Sequence, residues 1–351
     1  MSPSSATRHF AAWLVWLAAC GPGPGPGTAP TPAPVVSAGE AREIVGALAA
    51  DSMEGRRTGT PGSARAARYI AERMRGYGLQ PGGDSSYFQR VPYEVVRGPE
   101  GEVLRLPGAP GGGADSAVVA RVTDYNLIGL IRGTDSVMRD QAVVLGAHFD
   151  HLGIGKPVEG DSIYNGADDD ASGVATVLAA AGALAKAPPR RTVIVLLTSG
   201  EEFGVLGTQW YADHAAFPLP LTVAGLQVEM VGRPDSLAGG PGRLWLTGYE
   251  RSTMGQAFSS AGLLIVPDPR PSFRFFERSD NIVFALRGIP AHTLSSFGMH
   301  TDYHQPSDEV ERMDFAHLEQ VAQLVARAAR LLADGPAPAW HPGSRPTPAT
   351  P

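Results

Sequence analysis

A chain of 351 residues with 43 % hydrophobic side chains can bury one large core or two small ones. Its formal net charge is −6 and only 18 % of its residues are charged, which argues against the basic surface a nucleic-acid binder needs. The one cysteine, Cys20, excludes an intrachain disulfide and leaves nitrogen and oxygen as the donors for any metal.

Arg8 and His9 precede the apolar run Phe10–Ala19, which is too short to span a bilayer as a mature helix and reads as a signal peptide over residues 1–19. Leu17-Ala18-Ala19-Cys20 resembles the bacterial lipoprotein cleavage box. That resemblance implies export and a lipid on Cys20 that anchors the chain on the periplasmic or cell-surface side of a membrane. An ordinary secretory signal with an incidental cysteine is the other reading. Residues 20–36 are rich in Gly and Pro and are expected to form a semi-extended tether.

Folded structure is expected over 37–335. Ser37 and Glu40 have capping-box spacing, and Ile44 and Leu48 share a helical face. Pro61 opens a second helix with Ala66, Ile70, Met74 and Tyr77 on one side and Gly78 as its stop. Tyr87–Val96, Glu102–Leu106 and Ser116–Ile131 carry strand patterns. This third of the chain holds no cluster of ligands and reads as scaffold. Val143–Ala147, Thr192–Thr198 and Thr222–Val228 are short apolar runs suited to buried strands. Further on, Leu244–Thr247 and Ile289–Leu294 read as strands, and Ser252–Ala261 and Asp280–Arg287 as helices. Asp314 can cap a last helix to about Leu332. Residues 336–351 are Pro- and Ala-rich and are expected to be a disordered tail. The alternation of strands and helices is that of an α/β fold.

Each of the three central runs leads into a group that can bind a metal: His148 after the first, Glu201-Glu202 after the second, Glu229 after the third. Between the first two, Asp168-Asp169-Asp170 stands at the mouth of an alanine-rich helix. In open α/β sheets, ligands sit beyond the carboxyl ends of the strands. A lone acidic triplet could serve only to complement a helix N-terminus, but that does not account for the imidazoles and glutamates in its company. Imidazole and carboxylate together suit a divalent metal such as zinc.

Five segments carry a family resemblance: Gly146–His151, Asn165–Gly173, Ser199–Gly204, Glu229–Arg233 and Asp302–Asp308. In this order they resemble the M28 family of zinc peptidases, and Asp51–Gly62 is similar to the opening segment of many bacterial members. The resemblance implies a three-layer sandwich of the zinc-exopeptidase type, with a central mixed, mostly parallel sheet between helices. It implies two zinc ions: one on His148 and Glu229, the other on Glu202 and His304, with Asp169 bridging. It further implies Glu201 as general base, Asp150 as the residue that holds His148, Tyr303 as a donor to the oxyanion, and a cis peptide bond at Asp169–Asp170. Two positions depart from the family pattern. Glu229 stands where many members have Asp, and Asp168 where many have Asn.

The implied activity is aminopeptidase action on a peptide substrate. A carboxypeptidase or dipeptidase would need a basic anchor, for which Arg233, Arg274 and Arg278 are available. A glutaminyl-cyclase-type enzyme would use a similar site with one metal, and a non-catalytic binding protein would have lost ligands or Glu201. His151 and His300 are expected beside the centre rather than on a metal, His292 as a packing residue, and His214, His317 and His341 at the surface. Phe273, Phe275 and Phe276 suit either a specificity pocket or core packing, and Ser279-Asp280 resembles a family segment near the substrate pocket. Oligomeric state is not legible in the sequence.

Overall fold

A computed structural model describes Met1 and residues 33–37, 39–98, 101–109 and 118–347. Residues 2–32, which take in the rest of the expected signal peptide, Cys20 and all but the end of the expected tether, lie outside the described residues. Ile44 and Leu48 are fully buried on one face of α1 (Glu40–Leu48). Ser37 does not cap this helix. Gly39 holds the N-cap with φ 76, and the Ser37 hydroxyl turns instead to Lys186 Nζ at 3.4 Å. The end of the supposed tether is also fixed, because the Gln323 side chain donates to Pro34 O and accepts from Val36 N.

Thr60 caps α2 (Pro61–Gly76) by accepting from Ser63 N, and Gly78 with φ 74 ends it. The strands β1 (Gln80–Pro81), β2 (Phe88–Gly98), β3 (Gly101–Arg105) and β4 (Val118–Ile131) follow. Then come β5 (Ala142–His148), a separate hairpin of β6 (Gly153–Val158) and β7 (Asp161–Tyr164), and α3 (Gly173–Lys186). The second half runs β8 (Thr192–Thr198), α4 (Leu206–Asp213), β9 (Thr222–Val228), β10 (Leu244–Leu246), α5 (Thr253–Ser260), β11 (Ile265–Pro267), α6 (Asn281–Leu286), β12 (Ala291–Ser295) and α7 (Phe315–Asp334). Asp314 caps α7 by accepting from His317 N at 3.0 Å. The hairpin β6–β7, α4 and β11 had no clear signature, being short or mixed in polarity.

Nine strands run in the order β11-β10-β12-β9-β5-β8-β4-β2-β3, and β1 adds to β4 as a tenth. The ladders joining β8, β5, β9 and β12 are parallel, as is β10–β11. The sheet is therefore mixed as expected, but its parallel part is narrower than a mostly parallel sheet. The ladders β2–β3, β2–β4, β4–β8, β1–β4 and β10–β12 are antiparallel. The β2–β3 link is too short for the crossover that a parallel pair demands.

Period-two alternation sorts the central side chains onto two cores. Val143, Leu145, Val193, Val195 and Leu197 face a large core with α1, α2, α3 and α7, whereas Val144, Ile194 and Leu196 face a smaller one with Tyr211 of α4 and Phe284 of α6. That is the three-layer sandwich. Each such Val, Leu or Ile contributes about 1.5–3 kcal/mol by burial. The centre of the sheet is thus the most strongly held part of the molecule, and its carboxyl edge carries the chemistry.

The Pro-rich segment after α7 is not the structureless tail expected. Over residues 336–347 it packs back on the domain. Ala339 exchanges hydrogen bonds with Thr253, Trp340 bridges to Ser252, and the Trp340 indole donates to Gly288 O at 2.9 Å. Its proline content removes donors but does not prevent one aromatic anchor from seating.

Candidate metal centre

The parallel ladder brings the last residue of β5, His148, level with Thr198 at the end of β8. The loops leaving β5, β8 and β9 therefore emerge together. Gly166 then turns the chain with φ 57; a Cβ there would collide with the Asp169 carbonyl and the His151 ring, so glycine is required. The peptide bond Asp169–Asp170 is cis, as the resemblance implied.

Asp169 faces a different imidazole with each carboxylate oxygen. Oδ1 lies 3.4 Å from His148 Nε2, and Oδ2 lies 3.2 Å from His304 Nε2. His304 Nε2 is also 3.2 Å from Glu202 Oε2. The His148 ring has Nδ1 3.1 Å from the Asp150 carbonyl. A carbonyl can only accept, so Nδ1 carries a proton, and Nε2, which faces Asp169, is the nitrogen a metal could take. His148 Nε2 and Glu229 Oε2 are buried with no hydrogen-bond partner.

One expected contact differs. The Asp150 carboxylate does not hold His148, from which it stands 3.8 Å away. It accepts instead from Glu201 N at 3.2 Å and from the Thr58 hydroxyl at 3.0 Å. His151, expected beside the centre, has Nδ1 2.8 Å from Glu202 Oε1 and joins Asp169, Glu202 and His304 in one group of converging donors. The β5 strand ends at His148, and the bend after it brings His151 back over Glu202. His148 and Glu229 lie outside that foursome, His148 on the Oδ1 side of Asp169.

Asp168 is neither exposed nor aimed at the centre. It accepts from Gly232 N at 2.7 Å and meets His300 Nε2 at 2.8 Å, so His300 is tied to the triplet as a supporting residue. Asp170 accepts from Gly173 N and Met230 N, both at 3.0 Å. Asp308 accepts from the backbone of Asp168 and Asp169 and is held by Arg233 at 3.1 Å. Burial, then the charge of Asp168, pushes the Asp308 carboxyl up to about 6. Asp308, Arg233, Thr58 and Arg56 were not singled out as positioning residues. They act across long sequence separations: Asp308 and Arg233 sat inside two of the five donor-bearing segments, and Arg56 and Thr58 inside Asp51–Gly62, which carries no donor of its own.

Burial raises the Glu201 carboxyl well above its usual range, reinforced by Glu229, Asp280 and Glu202. Burial and Asp169 raise Glu229 to about 7. Crowded, desolvated carboxylates of this kind call for a cation. The three Asp169 and Glu202 contacts of 3.2–3.4 Å match the edge of a tetrahedron with metal bonds of about 2.1 Å, near 3.4 Å.

Beside Glu229 lies a cavity of about 50 Å³ walled by Trp245, Phe275, Phe297 and Tyr303. Phe275 thus lines it, while Phe276 packs on His292 and Trp340 and Phe273 is exposed. Ser279 and Arg278 stand at its rim. His292 is a packing residue as expected, with Nδ1 donating to Thr247 O and Nε2 accepting from Ser252 Oγ. His317 is not at the surface. It is fully buried between Gly242 N and Ser296 Oγ, because the N-cap of α7 turns it inward.

The chain is similar in sequence and fold to known peptidases. The chain is 30 % identical over 186 residues to the Aspergillus fumigatus protein named "Probable leucine aminopeptidase 2", covering 51 % of this chain but only 34 % of that one. The match spans about a third of that relative's length. The fold superposes on an aminopeptidase from Aneurinibacillus sp. strain AM-1 with a TM-score of 0.61 at 19 % identity, over 86 % of this chain and 95 % of that one. It superposes on a zinc aminopeptidase from Bacillus subtilis with a TM-score of 0.59 at 16 % identity, over 86 % and 96 %. The model of peptidase family M28 matches residues 126–329, a span that contains all the converging donors described above, and the chain belongs to that family.

Proposed function

We propose that the protein is a di-zinc aminopeptidase that removes N-terminal residues from peptides. One observation carries the reading: Asp169 turns its two carboxylate oxygens to two different histidines, His148 and His304, the arrangement of a bridging ligand. His148 and Glu229 would complete one metal position, Glu202 and His304 the other, with His151 buttressing Glu202 through its 2.8 Å contact. Zinc held there supplies a Lewis acid and lowers the pKa of a water toward about 7.

The protein's own groups do the rest. Glu201, whose backbone is fixed by Asp150, takes a proton from the attacking water and returns it to the departing amine. The Tyr303 hydroxyl is pushed above its usual pKa by burial and by Asp169 and Glu202, so it stays protonated and can donate to the developing oxyanion. Its ring is stacked on His304 at 3.8 Å, which fixes the direction of that donor. The substrate's free ammonium would meet Glu229 and its neighbours. The aromatic walls of the cavity beside Glu229 suit an apolar side chain of the substrate.

The carboxypeptidase reading rests on a basic anchor. Arg233 is taken by Asp302 and Asp308, and Arg274 by Glu277. Arg278 pairs with no carboxylate among the described residues and stands at the cavity rim, so it is the group that reading would use. Export and a lipid on Cys20 belong to the proposal through the Leu17–Cys20 box. Among the described residues no helix is long and apolar enough to cross a membrane.

The test pairs zinc content with hydrolysis of aminoacyl chromogenic substrates, for wild type and Glu201→Gln. Two zinc ions per chain, with kcat reduced about 10²–10⁴-fold in the variant and metal retained, support the proposal. One zinc with cyclisation of N-terminal glutamine would replace it with the cyclase reading. Cleavage that survives blocking of the peptide N-terminus but not of the C-terminus would replace it with the carboxypeptidase reading.

A further inference from the structure

The ligand loops are gripped from behind by a segment that carries no ligand. Glu54, Gly55 and Arg56 turn the chain through three successive left-handed conformations, with φ of 52°, 60° and 50°. A side chain at position 55 would collide with the backbone of Tyr164 and Gly153, so glycine is required between its neighbours. At Glu54 and Arg56 the same conformation is disfavoured for an L-residue and has to be held by its surroundings.

The turn drives the Arg56 guanidinium into the interior, where it is 0 % exposed. All four of its hydrogen bonds go to backbone carbonyls. Nε donates to Phe149 at 2.8 Å, Nη1 to Leu48 at 2.7 Å and Asn165 at 2.6 Å, and Nη2 to Gly166 at 2.9 Å. Phe149 sits between His148 and Asp150, and Asn165-Gly166 leads directly into the Asp triplet. One planar fork therefore spans the loop that carries His148 and the loop that carries Asp169. The charges of Asp169, Asp308, Asp170 and Asp150 surround the guanidinium without bonding to it and oppose the cost of its burial. Two residues on, the Thr58 hydroxyl donates to Asp150, whose other oxygen accepts from Glu201 N. The segment is pinned in turn on its far side, where Gly59 N and the Ser63 hydroxyl donate to Asp124 at 2.7 and 2.6 Å.

We propose that Arg56 and Thr58 are positioning residues of the metal centre: Arg56 sets the His148 loop against the Asp169 loop, and Thr58 sets Asp150 under Glu201. This rests on the metal-centre reading above. An arginine is needed because its rigid fork reaches both loops at once. Lysine keeps the charge but offers a single flexible donor that can serve only one of them. A buried arginine that served the fold alone would lower stability and leave the donors of the folded protein where they are.

The test uses metal binding rather than turnover. Wild type, Arg56→Lys and the near-isosteric Thr58→Val are stripped of metal, checked for folding by circular dichroism, and titrated with Zn²⁺ against a chromophoric chelator and with Co²⁺ by visible absorption. The expected result is zinc affinity about 10–100-fold weaker in Arg56→Lys and a smaller loss in Thr58→Val, each with an altered cobalt spectrum. Folded variants with wild-type zinc affinity and cobalt spectra would overturn the proposal. Where Arg56→Lys does not fold, Thr58→Val decides alone, by the same two readouts. A wild type that binds no cobalt or zinc would instead overturn the metal-centre reading, and this one with it.

Discussion

Asp308 Oδ2 lies 3.0 Å from the backbone nitrogen of Asp169, so the residue that turns to two histidines is itself held by a buried carboxylate 139 positions away in sequence. Arg233 anchors Asp308 from the other side. Asp169 is thus aimed by groups that stand outside the cluster of converging donors.

Asp308→Asn should weaken zinc binding about 10–100-fold without unfolding the protein. The amide keeps one acceptor for the Asp169 N–H but loses the charge that pairs with Arg233. Equilibrium competition against a chelator measures the change. Unchanged affinity would mean that Asp169 holds its place without the charge of Asp308.

In the di-zinc reading, Glu229 separates a two-metal from a one-metal centre. Glu229→Ala should lower the tightly bound zinc from two per chain to one, because Asp169, Glu202, His304 and His151 still converge without it. Glu229→Asp should restore the second, since Asp stands there in many members of the family. Metal analysis after gel filtration reads the count, and a count that stays at two in Glu229→Ala would remove Glu229 from the ligand set.

Stability should depend on pH through His292. Burial holds it neutral in the folded state, with its pKa lowered from 6.5 to about 4. The unfolded chain therefore takes up a proton that the native state does not, as pH falls through that window. Stability is at its full value above about pH 6.5 and drops by up to about 3 kcal/mol toward pH 4. Urea unfolding of the metal-free protein at several pH values, compared with His292→Gln, should show a steeper slope in wild type. Parallel slopes would assign the acid sensitivity elsewhere.

Removing residues 336–351 should cost stability. The cut deletes the Trp340 indole bond to Gly288 O and the packing of that ring on Phe276 and His292, together about 2–4 kcal/mol. Trp340→Ala should account for most of the loss. Thermal unfolding of the two variants checks this, and a melting temperature unchanged by the truncation would show the segment to be only laid on the surface.

The strands could be read from the sequence because burial on both faces forces continuous apolar runs, and Val143–Ala147, Thr192–Thr198 and Thr222–Val228 could be little else. The donors at their ends were legible for the same reason: a group that follows a central parallel strand can only emerge at the sheet's carboxyl edge. Short or amphiphilic elements such as β6, β7 and α4 left no such trace. The C-terminal segment was misjudged because composition reports average burial and not one well-seated tryptophan.

By itself, the sequence placed His148, Glu201, Glu202 and Glu229 after three central strands, because strand periodicity is a local property, and the family resemblance implied that Asp169 and His304 join them. Only the tertiary structure decided which atom faces which. It brought His151 onto Glu202, moved the Asp150 carboxylate from His148 to Glu201 N, and sent Arg56 beneath both ligand loops. These relationships depend on loop turns and on contacts between residues about 50–110 positions apart, whose geometry is set by packing once the chain has closed and leaves no periodic signal along it.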